Sequence, residues 1–371
     1  MSGKRGELRR PTRLIPVWMA LSATFTTAVA IAGATLWLGL DLLDVHGVKR
    51  EKQISSSVLF DLVKLSFAVV AGLGGLVALV VAYRKQRTEE NAALREDTKL
   101  HSDRFTAAVA QLGDASPAVQ LGGVHALAGL ADDAPTRQLR QTCIDVLCAY
   151  LRLPYDPDPS DARGEGQDPV EHARARAAFH AIREVRHTVI RIIGLHLRHS
   201  AAVSWQGHDL DFTDVVFDGG DFGHASFVDG RVSFRGARFV DGTVDFQSAA
   251  FRSGRVDFHA ARFEGGTVDF DGAVFAGALV DFDAARFMDG TVVFQSAVFM
   301  SDAIILFQAA RFEGGTVTFR TARFIDGRVL FKSARFIAGA IDFRKAWFNG
   351  SYVDFGIARF EGGVATFEAA Q

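Results

Sequence analysis

Hydrophobic and polar positions fall into three regimes along the chain. From Leu14 to Leu40 no residue is charged, and a second uncharged run extends from Leu65 to Tyr83. About 20 apolar residues cross a bilayer core at the helical rise of about 1.5 Å per residue, so both runs are long enough to span. Lys4, Arg5, Arg9, Arg10 and Arg13 precede the first run, and Arg84, Lys85 and Arg87 follow the second. The stretch between them, with Asp41, Asp44, Lys49, Arg50, Glu51 and Lys52, is charge-balanced. The positive-inside rule then predicts a transmembrane hairpin over 14–83, with limbs 14–40 and 65–83 in contact with the lipid bilayer. Residues 1–13 form a basic cytoplasmic tail, and both termini are expected in the cytoplasm, a multi-pass topology. Small residues four apart (Ala28 and Ala32, Ala68 and Gly72, Ala71 and Gly75) let two such helices approach closely. A cleaved signal peptide fits less well, because the run is longer than a signal's apolar region and a second span follows. No ionisable residue interrupts either run, so the hairpin reads as an anchor.

Between 84 and 200 the apolar positions take the spacing of amphipathic helices, and this segment is expected to be a cytoplasmic helical connector. Ser116-Pro117 marks a helix start, with an N-cap and a proline where no amide donor is needed. Val119, Leu121, Val124, Leu127 and Leu130 form one apolar face, and Leu139, Ile144, Val146, Leu147 and Leu151 another beyond a break at Asp132, Asp133 and Pro135. The pair resembles a single helical hairpin of the HEAT or armadillo kind. Residues 154–169, rich in Pro, Asp and Gly, are expected to be a flexible linker. A further helix is expected from about Val170 to Leu197.

From 201 onward the pattern becomes strictly periodic. Phe recurs at 212, 217, 222 and 227, then at alternating steps of seven and five to Phe367, with a single step of eight from Phe299 to Phe307. Two residues before each Phe stands a small or β-branched residue: Val or Ile on one kind of step (Val232, Val244, Val256), Ala on the other (Ala237, Ala249, Ala261). A two-residue spacing puts both members of a pair on one side of an extended strand. Each pair is therefore one short face with two inward residues, and Gly-containing corners such as Glu264-Gly265-Gly266-Thr267 turn the chain to the next.

This motif of a small residue, any residue and a bulky apolar residue at five-residue steps resembles the pentapeptide-repeat family. The likeness covers 203–371, with two extra residues in every second corner as the one departure. It implies an all-β right-handed quadrilateral β-helix with four faces, and so 24 residues per coil here. The outward residue tests that number. Arg238, Arg262, Arg286, Arg311, Arg335 and Arg359 stand on alternate Ala faces at steps of 24, 24, 25, 24 and 24. The single 25 places one extra residue in the corner from Met300 to Ile304. About seven coils at a strand spacing of about 4.8 Å make a rod about 30 Å long. The 170–199 helix can cover its first end. Nothing caps the other end in the sequence, and open strand edges there suggest a homodimer through the C-terminal coil.

Composition sharpens this picture. Residues 201–371 hold 27 of the 32 Phe. The net charge of −2 hides a basic first hundred residues, with 14 Lys+Arg against 9 Asp+Glu, and a mildly acidic repeat, with 16 against 22. Arg outnumbers Lys by 33 to 8 and Ala is abundant, the bias of a GC-rich bacterial genome. Cys143 and Cys148, five apart on a helix, read as buried structural thiols and not a disulfide. His196 and His199 lack the partners of a metal site and fit a helix C-terminus, where cations are favoured.

No phosphate loop, nucleophile elbow or metal-ligand spacing is present, and no cofactor is implied. Asp245, Asp257, Asp269 and Asp281, each between two inward residues, read as solvated surface positions. A repetitive rod offers surface, and in solenoids surface serves binding. Some soluble pentapeptide-repeat proteins resemble a DNA duplex in shape and charge and bind topoisomerases. An excess of six acidic charges beside an Arg ladder is too little to imitate a polyanion, and direct nucleic-acid binding is not expected. The favoured reading is a membrane-tethered, non-enzymatic scaffold for an unknown protein partner, with topoisomerase binding and an enzyme with an unrecognised site as the alternatives. Val274, Val293, Val298, Leu306 and Leu330, apolar where other coils carry Asp, Ser or Thr, mark its candidate contact patch.

Overall fold

The computed structural model describes isolated helical positions between Met19 and Asp41, and residues 56–371 apart from 156–157, 160–167 and 301–302. The chain forms two compact units, Met1–Leu100 and His101–Gln371.

The first unit contains most of helix α1 (Ser56–Leu112). Within it, Val63–Glu89 is long and apolar enough to cross a membrane, with mean hydropathy 2.5 and no part of that stretch buried. Phe60, Leu65, Phe67, Val70 and Leu79 all point outward into solvent-accessible space. Lys64 pairs with Asp61 near one end and Lys85 with Glu89 at the other. The expected hairpin is described only in part. Its second limb, 65–83, lies inside this helix, but its first limb, 14–40, falls outside the described residues except for isolated positions. Among the described residues one helix qualifies as a span, and one span by itself does not support a multi-pass topology.

In the second unit, helices α2 (Pro117–Asp132), α3 (Arg137–Leu151) and α4 (Pro169–Leu197) precede the repeat. Thr136 caps α3 by accepting from the Leu139 amide, and Asp168 caps α4 by accepting from the Val170 amide. Val124, Leu127 and Leu130 of α2 and Ile144, Leu147 and Leu151 of α3 are buried and join one core with α4 and the strands beyond. Cys143 and Cys148 sit in that core as free thiols.

The repeat is a parallel β-solenoid. Its strands form four sheets of seven, seven, seven and six strands, each pairing a segment with its equivalent one coil on. The faces are numbered here in the order the chain visits them, starting from Leu210–Asp211, Val216–Phe217, Gly220–Asp221 and Ser226–Phe227. The register is 22 residues where the first coil pairs on the first two faces, as in Leu210↔Val232 and Val216↔Arg238, and 24 thereafter, as in Arg238↔Arg262 and Val256↔Val280. It becomes 25 only where a pair straddles the Met300–Ile304 corner, as in Arg286↔Arg311 and Ile305↔Val280. One corner thus absorbs the extra residue and the ladders continue unbroken.

Each face stacks its Phe rings into a ladder. On the first face, Phe234 and Phe258 lie 4.7 Å apart at 4° and Phe258 and Phe282 4.6 Å apart at 7°. Rings of opposite faces meet edge-on, as Phe258 meets Phe270 at 6.2 Å and 86°. Parallel stacking at about the strand spacing is imposed by the register, and the edge-on contacts supply the geometry that aromatic quadrupoles favour. The tight corner after each Val-x-Phe face is closed by the Ala amide donating to the Phe carbonyl, as Ala249 does to Phe246 and Ala261 to Phe258. The residue before that Ala takes positive φ, and it is often not glycine: Ser248, Ala260, Ala284, Thr321 and Ile357 all do so.

The helices close the first coil. Gly194 of α4 lies so near the chain that a Cβ there would stand 2.2 Å from the Asp221 carbonyl oxygen, so only glycine permits this docking. Trp205 is fully buried at the junction, and Arg198 bridges Ala225 in antiparallel fashion.

Candidate interaction surfaces

The outward arginines stand where the spacing placed them. Arg238, Arg262, Arg286, Arg311, Arg335 and Arg359 are register partners in one continuous row on the second face. Most are neutralised. Arg238 holds Glu264 through two hydrogen bonds of 3.0 and 2.7 Å, Arg286 and Arg311 share Glu313, and Arg335 holds Glu361. The hydrogen bond from Arg238 lowers the Glu264 carboxyl below its ordinary value and raises its own guanidinium. Glu264, Glu313 and Glu361 recur every second coil, so the row alternates bridged pairs with apolar Val240, Met288 and Ile337. Arg262 and Arg359 have no ion pair among the described residues. The face is a charge-paired ladder and not a bare cationic strip.

The aspartates on the Val-x-Phe faces do a structural job. Asp245, Asp257, Asp269, Asp281 and Asp342 each accept from the backbone amide two residues on, capping the tight corner. Asp257 and Asp281 are buried, at 1% and 4% exposure, which corrects their reading as solvated positions. Arg255 donates to Asp281 at 2.5 Å, compensating the buried charge. The signal was present in the sequence: an Asp two residues before a turn position is the pattern of such a cap.

The five expected patch residues do not form one patch. Val274 and Val298 are register partners on the fourth face, Val293 stands on the third between Asp269 and Thr318, and Leu306 and Leu330 are partners on the first. All five are half-buried. What the first face does assemble is a contiguous group. Leu279 pairs with Ile304, Ile304 and Leu306 point outward from one strand, and Leu306 pairs with Leu330. Leu279 and Ile304 escaped the sequence reading because they stand just before the Val or Ile of each face, where other coils carry Arg231, Arg255 and Arg328. Beside this group runs a groove of about 780 Å³ lined by Leu330, Tyr352, Arg328, Lys332, Asp326 and Asp354.

At the junction of α4 with the first coils, Asp218 gathers a buried network. Tyr155 Oη and Arg183 Nε each donate to its Oδ2 at 2.8 Å, and His187 Nε2 lies 2.9 Å from its Oδ1. Burial alone would raise the carboxyl, but the hydrogen bonds from His187 and Tyr155 outweigh it and hold Asp218 at about 2. Arg186, buried, donates to the Leu151 and Val216 carbonyls and stacks 4.1 Å from the Tyr155 ring. Tyr155 belongs to the segment expected to be a flexible linker, yet it is docked by this network. Nearby, His196 stacks on Trp205 at 4.1 Å, and both reach Asp132, at 3.1 and 2.9 Å. His196 thus serves helix packing, and among the described residues no group of His, Cys, Asp and Glu is arranged to hold a metal. Burial pushes the Cys143 thiol up to about 11 and Cys148 up to about 12, so neither is a ready nucleophile.

No family model matches the chain, and neither a curated protein nor a solved structure matches it. The class that the fold defines is a repeat β-solenoid, an architecture of scaffolds and not a typical enzyme fold.

Proposed function

We propose that this chain is a membrane-tethered scaffold of the pentapeptide-repeat type, non-enzymatic, whose solenoid binds a protein partner through its first face. One observation carries the reading. At Leu306 and Leu330 the chain replaces the corner-capping Asp of neighbouring coils with a half-buried apolar side chain, and Leu279 and Ile304 extend the same apolar group. At Leu306 the Gln308 amide is capped instead by Asp283, at 2.8 Å, whereas at Leu330 the cap is given up, and a cap exchanged for half-exposed apolar surface fits contact with a partner better than it fits stability. The tether rests on the apolar stretch Val63–Glu89. The test is site-specific photo-crosslinking from Tyr352 in intact membranes. A discrete adduct is expected with the wild-type chain and with Arg262→Ser on the second face, and none with Leu306→Asp/Leu330→Asp. An identical adduct from that double variant would remove the first face as the docking surface. In the same membranes the chain should resist alkaline carbonate extraction, and its release would remove the tether.

A further inference from the structure

A second recess lies away from the first face, between α4 and the second face. It encloses about 410 Å³. Its apolar walls are the Phe179 ring, stacked 5.4 Å from Tyr155, together with Val216 and Val240, and all four side chains stay partly exposed. Concave, partly apolar recesses with a few convergent polar groups are where small ligands and side chains bind.

The charges around the recess are unequal. Arg183 is engaged by Asp218 and Arg238 by Glu264, so both guanidiniums are neutralised by carboxylates in the same lining. The depressed values of Asp218 and Glu264 keep those carboxylates ionised over the physiological range. Asp158 and Asp241 also line the recess, and neither has a hydrogen-bond or ion-pair partner among the described residues. Four carboxylates against two guanidiniums leave the lining two charges negative.

We propose that this recess binds an organic cation with an apolar stem, an alkylguanidinium or alkylamine. The charged head sits between Asp241 and Asp158, and the stem lies on Val216 and Val240 with the Phe179 face above it. Aromatic faces attract such cations, and partial desolvation strengthens the attraction. An inorganic cation gains nothing from the apolar walls, and an anion meets the excess of carboxylates. The same chemistry comes from a free small amine or from an Arg or Lys side chain of a protein.

Isothermal titration of the purified full-length chain tests the assignment with four probes: agmatine, acetyl-Gly-Arg-Gly-amide, the neutral stem analogue pentylurea, and inorganic phosphate. Submillimolar binding of agmatine with no heat from pentylurea or phosphate is expected. Tighter binding of the peptide than of agmatine assigns the recess to a protein side chain, and the reverse order to a small molecule. Asp241→Asn should weaken the preferred cation about tenfold, and Phe179→Leu should weaken it severalfold. Asp241 makes no side-chain hydrogen bond among the described residues, so its variant should melt with the wild type; Asp158→Asn provides a second carboxylate test if it does not. Absence of binding by both cations, equal binding of pentylurea, or undiminished affinity in both Asn variants would overturn the proposal.

Discussion

Ile357 shows how the solenoid treats single residues. It occupies a corner at φ +53° with its side chain 77% exposed, so it carries left-handed backbone strain with little packing in return. An L-residue pays about 1–2 kcal/mol in that region, and glycine offsets this by about 0.5–1 kcal/mol of lost chain entropy. Ile357→Gly should therefore raise stability by about 0.5 kcal/mol in urea denaturation. Asp218 is the opposite case, a residue whose value comes from its partners. Its folded value of about 2 lies below the ordinary 3.8, so the ionised form stabilises the fold, by about 2 kcal/mol. That contribution is complete above about pH 4 and fades as pH falls towards 2. The stability gap between wild type and Asp218→Asn should close across that acid window, as measured by denaturation at stepped pH. A gap independent of pH there would mean that packing, and not charge, holds the junction.

Elements join through close approaches that admit few side chains. Helix α4 reaches the first coil only because Gly194 leaves room for the Asp221 carbonyl. Gly194→Ala should displace the helix and cost more than about 2 kcal/mol, the range for forcing an atom into a packed site. Its signature should be faster amide exchange in both α4 and the first coil, which share one core and should open together. How legible these elements were depends on where their causes lie. The strands, their corners and the arginine row follow from spacings of two, five, seven and 24, which strand geometry converts directly into positions. The Asp218 network had no such spacing. Tyr155, Arg183, His187 and Asp218 come from three separate segments, and only the docking of α4 brings them together. The patch failed as a single surface for a related reason. Val293 and Leu306 are close in sequence, but successive Val-type faces lie on opposite sides of the coil.

At the scale of the molecule, the proposed binding and the stability of the rod are set against each other on the first face. Restoring the corner cap with Leu330→Asp replaces a half-exposed apolar side chain by one that accepts an amide hydrogen bond. Such a bond contributes about 1 kcal/mol. The variant should melt higher than the wild type while losing its crosslinked partner, and a lower melting temperature would mean the leucines serve the rod itself. The apolar helix was readable from composition alone, because length and hydropathy decide it. The topology around it was not, since residues 14–40 fall outside what the structure describes.

The 24-residue register has one more consequence. Because the coils beyond the first follow equivalent backbone paths, removing 265–288 would join Glu264 to Asp289 and leave a complete corner, with each face still in line and the linings of both recesses kept. The groove at Leu330 would then move about 4.8 Å nearer the helical junction, one strand spacing. The rod is thus a ruler with fixed graduations, and evolution or design can reset the distance between its two recesses in whole steps without rewriting either.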